Sequence, residues 1–523
     1  MTSGAPPRKS DLQAARTAAS GPPPAPLRRV LIANRGEIAV RIARACRELG
    51  LESVAVYSEA DRTALHVQVA DRAYPVGPAP SSQSYLAVDN ILAAARDSGA
   101  DAIHPGYGFL AENAAFAHRC AEAGLTFIGP PPAAITGMGD KVEARKLMTA
   151  SGVPVVPGSE GTLSDDEVLA TADKIGYPVM LKASAGGGGK GMRLVASRAE
   201  MASALRAVRS EARSSFGDDR LYLEKLVLGP HHIEVQVLAD THGNTVHVFE
   251  RECSVQRRHQ KVVEESPSPF IDDRIRRAMG EVAVKAAASV GYVGAGTVEF
   301  MVGADKQFYF LEMNTRIQVE HPITEMVTGI DLVQAQIRIA GGERIPWQQE
   351  DIRQHGHAIE CRIYAEDPIT FFPSPGKISL LRVPGGIGIR DDSSVYEGAE
   401  VTVHYDPMIS KLVAWGTDRD EAIRRMLRAL FEYRLQGITS NLAFHRWVLD
   451  HPRFRAGDYD TNFIPQEYHG LPAAADGTDP DTIAIAAAAV ALVERQHALA
   501  ARALPTRAHN PWRDVARREA LRG

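Results

Sequence analysis

The stretch Leu311-Glu312-Met313-Asn314-Thr315-Arg316-Ile317-Gln318-Val319-Glu320-His321-Pro322 constrains this chain more than any other. Every even position from 312 to 320 is polar or charged, and the odd positions are apolar or Thr. An extended backbone alternates its side chains, so Glu312, Asn314, Arg316, Gln318 and Glu320 are predicted on one face of a strand. An amphipathic strand with that face in water has the same period. Composition favours a site instead: two carboxylates, two amides and a guanidinium suit a metal beside an anion better than a plain surface. Glu299 adds a carboxylate on a neighbouring strand. Oxygen ligands from Glu299, Glu312 and Asn314 suit magnesium or manganese. Magnesium bound with ATP phosphates is the commonest reason for such a set.

The rest of the chain alternates strands and helices. Val30-Leu31-Ile32-Ala33 reads as a buried strand and Asn34-Arg35-Gly36 as a turn. Ile38, Ile42, Cys46 and Leu49 then recur at helical spacing before the strand Ser53 to Tyr57. This βαβ opening predicts a parallel, helix-covered sheet that continues through Ala102-Ile103-His104 and Thr126-Phe127-Ile128. The first domain is placed at 29–140. A central region, 141–342, has strand signals at 178–182, 233–238, 245–249, 297–302 and 307–312. A third, 355–464, has strand signals at 358–364 and 377–383 and a helix from Asp418 to Leu435. A chain of 523 residues is too long for one core, and about three α/β and α+β domains are expected.

Residues 1–28 are rich in Ala, Pro, Ser and Arg and lack the apolar stretch of a secretory signal. They are expected to be a disordered extension, with an organelle transit peptide as the alternative. A cytoplasmic location follows, or the mitochondrial matrix under the alternative. Residues 465–523 read as an Ala-rich helical tail. Its longest uncharged apolar run, Thr482 to Val493, is too short to span a bilayer. A net charge of −5 gives no reason to expect a nucleic-acid or membrane partner. Cys46, Cys120, Cys253 and Cys361 form no close pairs, which argues against zinc or disulfides and for a reducing compartment.

Ser184-Ala185-Gly186-Gly187-Gly188-Gly189-Lys190-Gly191 follows a strand, and its glycines let backbone amides approach a phosphate. Gly191 stands where a Walker loop needs Ser or Thr, so that motif is absent, and a flexible linker remains the alternative. Lys182 lies inside an apolar strand and needs a counter-charge: a nucleotide phosphate or a nearby Glu. Lys141 offers a second cation. Glu250 to Lys261 is dense in hydrogen-bond donors, as an anion pocket or a solvated hairpin would be. His232 lacks a partner at ligand spacing, which favours a hydrogen-bonding role over a metal ligand.

These segments together resemble the biotin carboxylase component of biotin-dependent carboxylases, in the ATP-grasp superfamily. The resemblance runs from Arg29 to Ile464. It rests on Ile32-Ala33-Asn34-Arg35-Gly36-Glu37-Ile38, His104-Pro105-Gly106-Tyr107-Gly108-Phe109-Leu110, Met138-Gly139-Asp140-Lys141, Lys182-Ala183-Ser184 with its glycines, Gln256-Arg257-Arg258-His259-Gln260-Lys261, Glu312 to His321, and Glu360-Cys361-Arg362. Ala185 and Lys190 depart mildly from the glycine and arginine usual there.

The resemblance implies an N-terminal parallel α/β domain, a central ATP-grasp domain with a mobile glycine-loop lid, and a C-terminal α+β domain. It implies ATP bound by Lys141, Lys182, Gly188, Gly189, Glu224, Lys225, Leu226, Val227, His232 and His259. Metal ions (magnesium or manganese) would sit on Glu299, Glu312 and Asn314. Lys261, Arg316, Gln318 and Val319 would hold bicarbonate, Glu320 would be the general base, and Arg362 would stabilise the biotin enolate with Tyr107 near the ring. Arg44 and Glu48 would make homodimer contacts. No Ala- or Val-Met-Lys-Met tetrapeptide occurs in the chain. Biotin is therefore expected on a biotin carboxyl carrier protein, working with carboxyltransferase subunits of an acyl-CoA carboxylase. The tail, with Trp512, is expected to dock a partner or to lie as a loose surface helix. Another ATP-grasp carboxylate–amine ligase and an inactive nucleotide-binding scaffold are the alternatives.

Overall fold

The computed structural model describes residues 26–159, 163–184, 191–470 and Leu492. Gly188, Gly189 and the proposed lid, residues 1–25 and nearly all of the tail lie outside the described residues.

The βαβ opening folds as its periodicity requires. Strands β1 (Arg29–Ile32), β2 (Glu52–Ser58), β3 (Arg72–Gly77), β4 (Ala102–His104) and β5 (Thr126–Phe127) form one sheet in the order β3-β2-β1-β4-β5. Every pairing in it is parallel. Helix Gly36–Glu48 buries Ile38, Ile42 and Cys46 against this sheet and the central region. All four cysteines are buried and unpaired.

A small antiparallel sheet follows, β6 (Val179–Ala183) between β7 (Met192–Val195) and β8 (Leu221–Lys225). The larger sheet begins with β9 (His231–Ala239), β10 (Thr245–Arg257), β11 (Gln260–Ser266), β12 (Gly294–Val302) and β13 (Phe308–Asn314). It continues through β14 (His357–Tyr364). Where one strand was expected over 377–383, two short ones occur, β15 (Gly376–Lys377) and β16 (Leu380–Arg382), each paired elsewhere. The sheet is completed by β17 (Ile389–Ser393) and, after β18 (Glu400–Val401), by β19 (Met408–Gly416).

The order is β13-β12-β9-β10-β11-β14-β19-β17, antiparallel throughout. The central and C-terminal regions therefore share one sheet of eight strands, with the join at β11–β14. Helix Arg419–Glu432 covers the β14–β19 end, burying Ile423, Met426 and Leu430. Phe463–Glu467 is a short helix whose Phe463 is fully buried in the same core.

One element differs from the sequence reading in a way that matters. The extended segment stops at Asn314 rather than running to Glu320. Residues 315–320 bend, and Glu320 stands at the N-terminal boundary of helix His321–Thr328 without a side-chain capping bond. Pro322 explains the change: it lacks an amide hydrogen for a sheet ladder and suits the first turn of a helix.

Candidate functional site

The polar row is assembled by register. β9 alternates, so His232, Glu234 and Gln236 leave one face while Ile233, Val235 and Val237 fill the core. Glu299 lies directly opposite Glu234 on one side and Glu312 on the other, and Arg251 lies opposite Glu234. Three carboxylates thus stand side by side across adjacent strands. Like charges directly opposite each other repel, so the row needs cations.

Lys261 supplies the central one. Its Nζ donates to Glu234 at 2.6 Å, Glu299 at 2.9 Å and Glu320 at 2.7 Å. Burial works against this ammonium, but the three carboxylates outweigh it and raise its pKa well above the usual lysine range. The guanidinium of Arg251 is fully buried; it pairs with Glu234 and donates to Gln236 at 2.7 Å, Thr324 at 3.0 Å and Gln318 at 2.9 Å. Arg362 bridges Glu264 (Nε to Oε1, 2.7 Å) and Glu320 (3.0 Å). Burial pushes the Glu320 carboxyl up, but Lys261, Arg362 and Arg251 outweigh burial and hold it far below the usual carboxylate range. Glu264 is pushed the other way, to about 7, chiefly by burial.

This row forms one wall of a cavity of about 840 Å³, the size of a small-molecule site. Lys141, Lys182, Glu224, Lys225, Leu226, Val227, His232, His259, Lys261, Glu299, Glu312, Asn314, Arg316, Gln318, Val319, Glu320 and Arg362 all line it. The residues proposed from 312 to 320 therefore do converge, although only the first two lie on a strand. The lining also includes the apolar side chains of Met180, Leu226, Val227, Met301 and Leu311.

Individual placements refine the reading. The counter-charge of Lys182 is Glu224, which also accepts from Arg145 at 2.8 Å. Lys225 lines the cavity but turns its ammonium onto the carbonyls of Gly176 (2.7 Å) and Tyr177. Glu250 to Lys261 is not a solvated hairpin: Glu250, Arg251 and Glu252 are buried, and only the turn at Arg258 and His259, both at positive φ, is exposed. His232 Nδ1 hydrogen-bonds with the Gln256 amide nitrogen at 3.0 Å and its Nε2 lies 2.9 Å from Glu299; His232, Glu234 and Glu299 also lie within reach of a common ion. Arg316 pairs with Glu112 at 2.8 Å and donates to the side-chain amide oxygen Oδ1 of Asn314 at 3.0 Å. Tyr107 does not line the cavity; its hydroxyl donates to Glu37. Arg44 and Glu48 line a separate shallow concavity together with Arg41, Glu325 and Arg390.

The ligand chemistry at Glu299, Glu312 and Asn314 fits a hard divalent cation. Two carboxylates in direct cross-strand register, with an amide two residues on, form an all-oxygen set. Lys141, 2.9 Å from Glu312, neutralises the outer member only.

Glu234, Glu264 and Glu112 were not singled out from the sequence, and Arg251 only as part of the donor-dense segment Glu250 to Lys261. The alternation His232, Glu234, Gln236 carries the same period-two signal as 312 to 320 and would have found Glu234. Glu264, Glu112 and the role of Arg251 become visible only through long-range pairing.

Three family models match consecutive parts of the chain: "Biotin carboxylase, N-terminal domain" at 26–135, "Carbamoyl-phosphate synthase L chain, ATP binding domain" at 140–348 and "Biotin carboxylase C-terminal domain" at 360–466. The biotin carboxylase of Halalkalibacterium halodurans is 55% identical over 438 residues, 84% of this chain and 97% of its own length. The chain belongs to the biotin carboxylase family. The propionyl-CoA carboxylase alpha chain of Ruegeria pomeroyi is 49% identical over 489 residues, 89% of this chain and 71% of that one. Among solved structures, the biotin carboxylase domain dimer of Hydrogenobacter thermophilus 2-oxoglutarate carboxylase, in complex with MgADP, ADP and bicarbonate, aligns with a TM-score of 0.82. It is 47% identical, covering 86% of this chain and all of that one. Among the described residues no helix is long and apolar enough to cross a membrane.

Proposed function

We propose that the chain catalyses the ATP-dependent carboxylation of biotin by bicarbonate, yielding carboxybiotin, ADP and phosphate. The observation that carries the reading is the junction at Glu320: one buried carboxylate shared by Lys261 and Arg362, at the end of a row of metal-type ligands.

The division of labour follows from position. The apolar lining at Leu226 and Val227 suits an adenine base, and Lys141 and Lys182 suit phosphates. Glu299, Glu312 and Asn314 would hold magnesium, which would supply positive charge against the phosphates. Lys261, Arg316, Gln318 and the Val319 backbone hold bicarbonate beside Glu320. Glu320 takes the bicarbonate proton, and the resulting oxygen attacks the γ-phosphorus of ATP as its bond to ADP breaks. The product, carboxyphosphate, breaks its carbon–oxygen bond to phosphate and gives carbon dioxide and phosphate next to biotin; the phosphate takes the ureido N–H proton of biotin, whose nitrogen adds to the carbon dioxide. Arg362 stabilises the negative charge on the ureido oxygen.

A carboxylate clamped by Lys261 and Arg362 is a weak base. Bicarbonate draws Lys261, and biotin draws Arg362, so Glu320 gains basicity only when both substrates are in place. That ordering protects carboxyphosphate from forming without an acceptor.

The partners proposed are a biotinylated carrier protein and carboxyltransferase subunits of an acyl-CoA carboxylase, a choice supported by the propionyl-CoA relative, which aligns over 489 residues. A homodimer is supported by the dimeric relative, and the Arg44 and Glu48 face is the surface proposed for it.

The test is ATP hydrolysis by the purified chain with magnesium, in the presence and absence of bicarbonate and of free biotin. Turnover that needs both supports the assignment. Turnover indifferent to biotin would make it a different ATP-grasp ligase, and ATP binding without turnover on a biotinylated carrier would make it a scaffold.

A further inference from the structure

Lys411 is an unusual residue for the centre of a sheet. It sits on β19 directly opposite Arg362 of β14, and its side chain is completely buried. A lysine taken wholly out of water is costly unless its donors are matched. Two partners are in reach. Its Nζ is 3.0 Å from Oε2 of Glu37 and donates to the backbone carbonyl of Val319 at 3.0 Å. Glu37 comes from the N-terminal domain, is 2% exposed at its side chain, and accepts from the Tyr107 hydroxyl.

A buried ion pair is by itself weak evidence of anything but packing. The second bond is the informative one. Val319 is the residue immediately before Glu320, in a bend that no sheet ladder supports. The bend is held at both carbonyls that precede the base: His321 Nδ1 lies 2.8 Å from the Gln318 oxygen, and Lys411 holds the Val319 oxygen. The orientation of the Glu320 carboxylate between Lys261 and Arg362 therefore depends on a lysine from the C-terminal strand and a glutamate from the N-terminal helix.

We propose that Lys411, backed by Glu37, is a positioning residue that fixes the Val319–Glu320 turn and thereby aims the base at bicarbonate. This rests on the reading of Glu320 as the base. Tyr107, Glu37, Lys411 and Val319 form a continuous chain of contacts whose middle members, Glu37 and Lys411, are buried, so the N-terminal domain and the base are mechanically joined.

Lys411→Met alone would leave Glu37 as an uncompensated buried charge and risks unfolding. The informative variant is Lys411→Met with Glu37→Gln, which removes both charges and leaves an amide oxygen to accept from Tyr107. Thermal unfolding, ATP affinity, and the kcat and bicarbonate KM of ATP hydrolysis are measured side by side. The expected result is an unfolding midpoint near that of the unmodified chain, ATP affinity within about twofold, and kcat/KM for bicarbonate down about ten- to a hundredfold, the range of one charge-assisted hydrogen bond. Lys411→Arg, which keeps the charge beside Glu37 and a donor for the Val319 carbonyl, should recover most of that loss. A double variant with unchanged kcat/KM, or one that loses ATP affinity in the same proportion, would overturn the assignment. An unmodified chain whose ATP hydrolysis ignores bicarbonate would instead overturn the role of Glu320.

Discussion

Replacing Glu320 by Gln separates chemistry from binding, and the geometry says how far. The amide is isosteric with the carboxylate and keeps one acceptor oxygen. Lys261 retains Glu234 at 2.6 Å and Glu299 at 2.9 Å, and Arg362 retains Glu264 at 2.7 Å. The fold therefore loses roughly one charge-assisted hydrogen bond, about 2 kcal/mol, and the variant should remain folded. The charge change makes the pocket more positive, so bicarbonate should bind as well as before or better. What disappears is the proton acceptor, and a positioned general base contributes about 10²- to 10⁴-fold. The expected result is bicarbonate-dependent ADP release reduced by that factor in kcat, with bicarbonate KM unchanged or lower and ATP affinity unchanged. Turnover within about threefold of the unmodified chain, or a loss confined to bicarbonate KM, would refute Glu320 as the base.

Three further outcomes are expected. Arg251→Met leaves Glu234 buried with Lys261 as its remaining cation, and should cost about 3–5 kcal/mol of stability, read as a lower thermal midpoint. Glu299→Gln should raise the magnesium concentration needed for half-maximal ATP hydrolysis about tenfold or more; an unchanged magnesium requirement would remove Glu299 from the metal set. Glu265 is buried, but Arg419 and His357 outweigh burial and lower its pKa to about 2. A carboxyl lowered in the folded state stabilises above its unfolded pKa and loses that contribution as pH falls through its folded value, here roughly 3 kcal/mol lost between about pH 4.5 and about pH 2. The stability gap between the unmodified chain and Glu265→Gln should therefore narrow as pH drops through that window; a gap independent of pH would contradict it.

The parts of the molecule legible in the sequence are those set by local period. The βαβ opening was readable because Val30 to Ile32 and Ile38, Ile42 and Cys46 carry two different spacings within twenty residues, and both were realised. The span from Glu312 to Glu320 was readable for a different reason. Its period-two polarity survives even though the strand ends at Asn314, because the bend from Thr315 onward keeps turning the even side chains toward the same cavity. The expectation of a longer strand failed at Pro322, whose consequence for the preceding residues is a helix boundary rather than a ladder. The single sheet shared by the central and C-terminal regions was not readable. Nothing in the local pattern of Val262 to Ser266 or Ala358 to Tyr364 says that β11 pairs with β14.

That unreadable pairing is what makes the site work. Lys261 enters from β11, Arg362 from β14, Lys411 from β19 and Glu299 from β12, and each position is fixed by ladder register. A one-residue slip between β11 and β14 would turn Arg362 to the other face and strip Glu320 of one of its two cations, since side chains alternate strictly along a strand. Register in a sheet is secured by the apolar face, and here Val263, Cys361, Leu412 and Ile423 secure it on the side away from the cavity. The core under the sheet and the charges above it are thus set by one alignment. A substitution in that core that loosened register, such as Cys361→Asp, would reach Glu320 without touching any polar residue of the site.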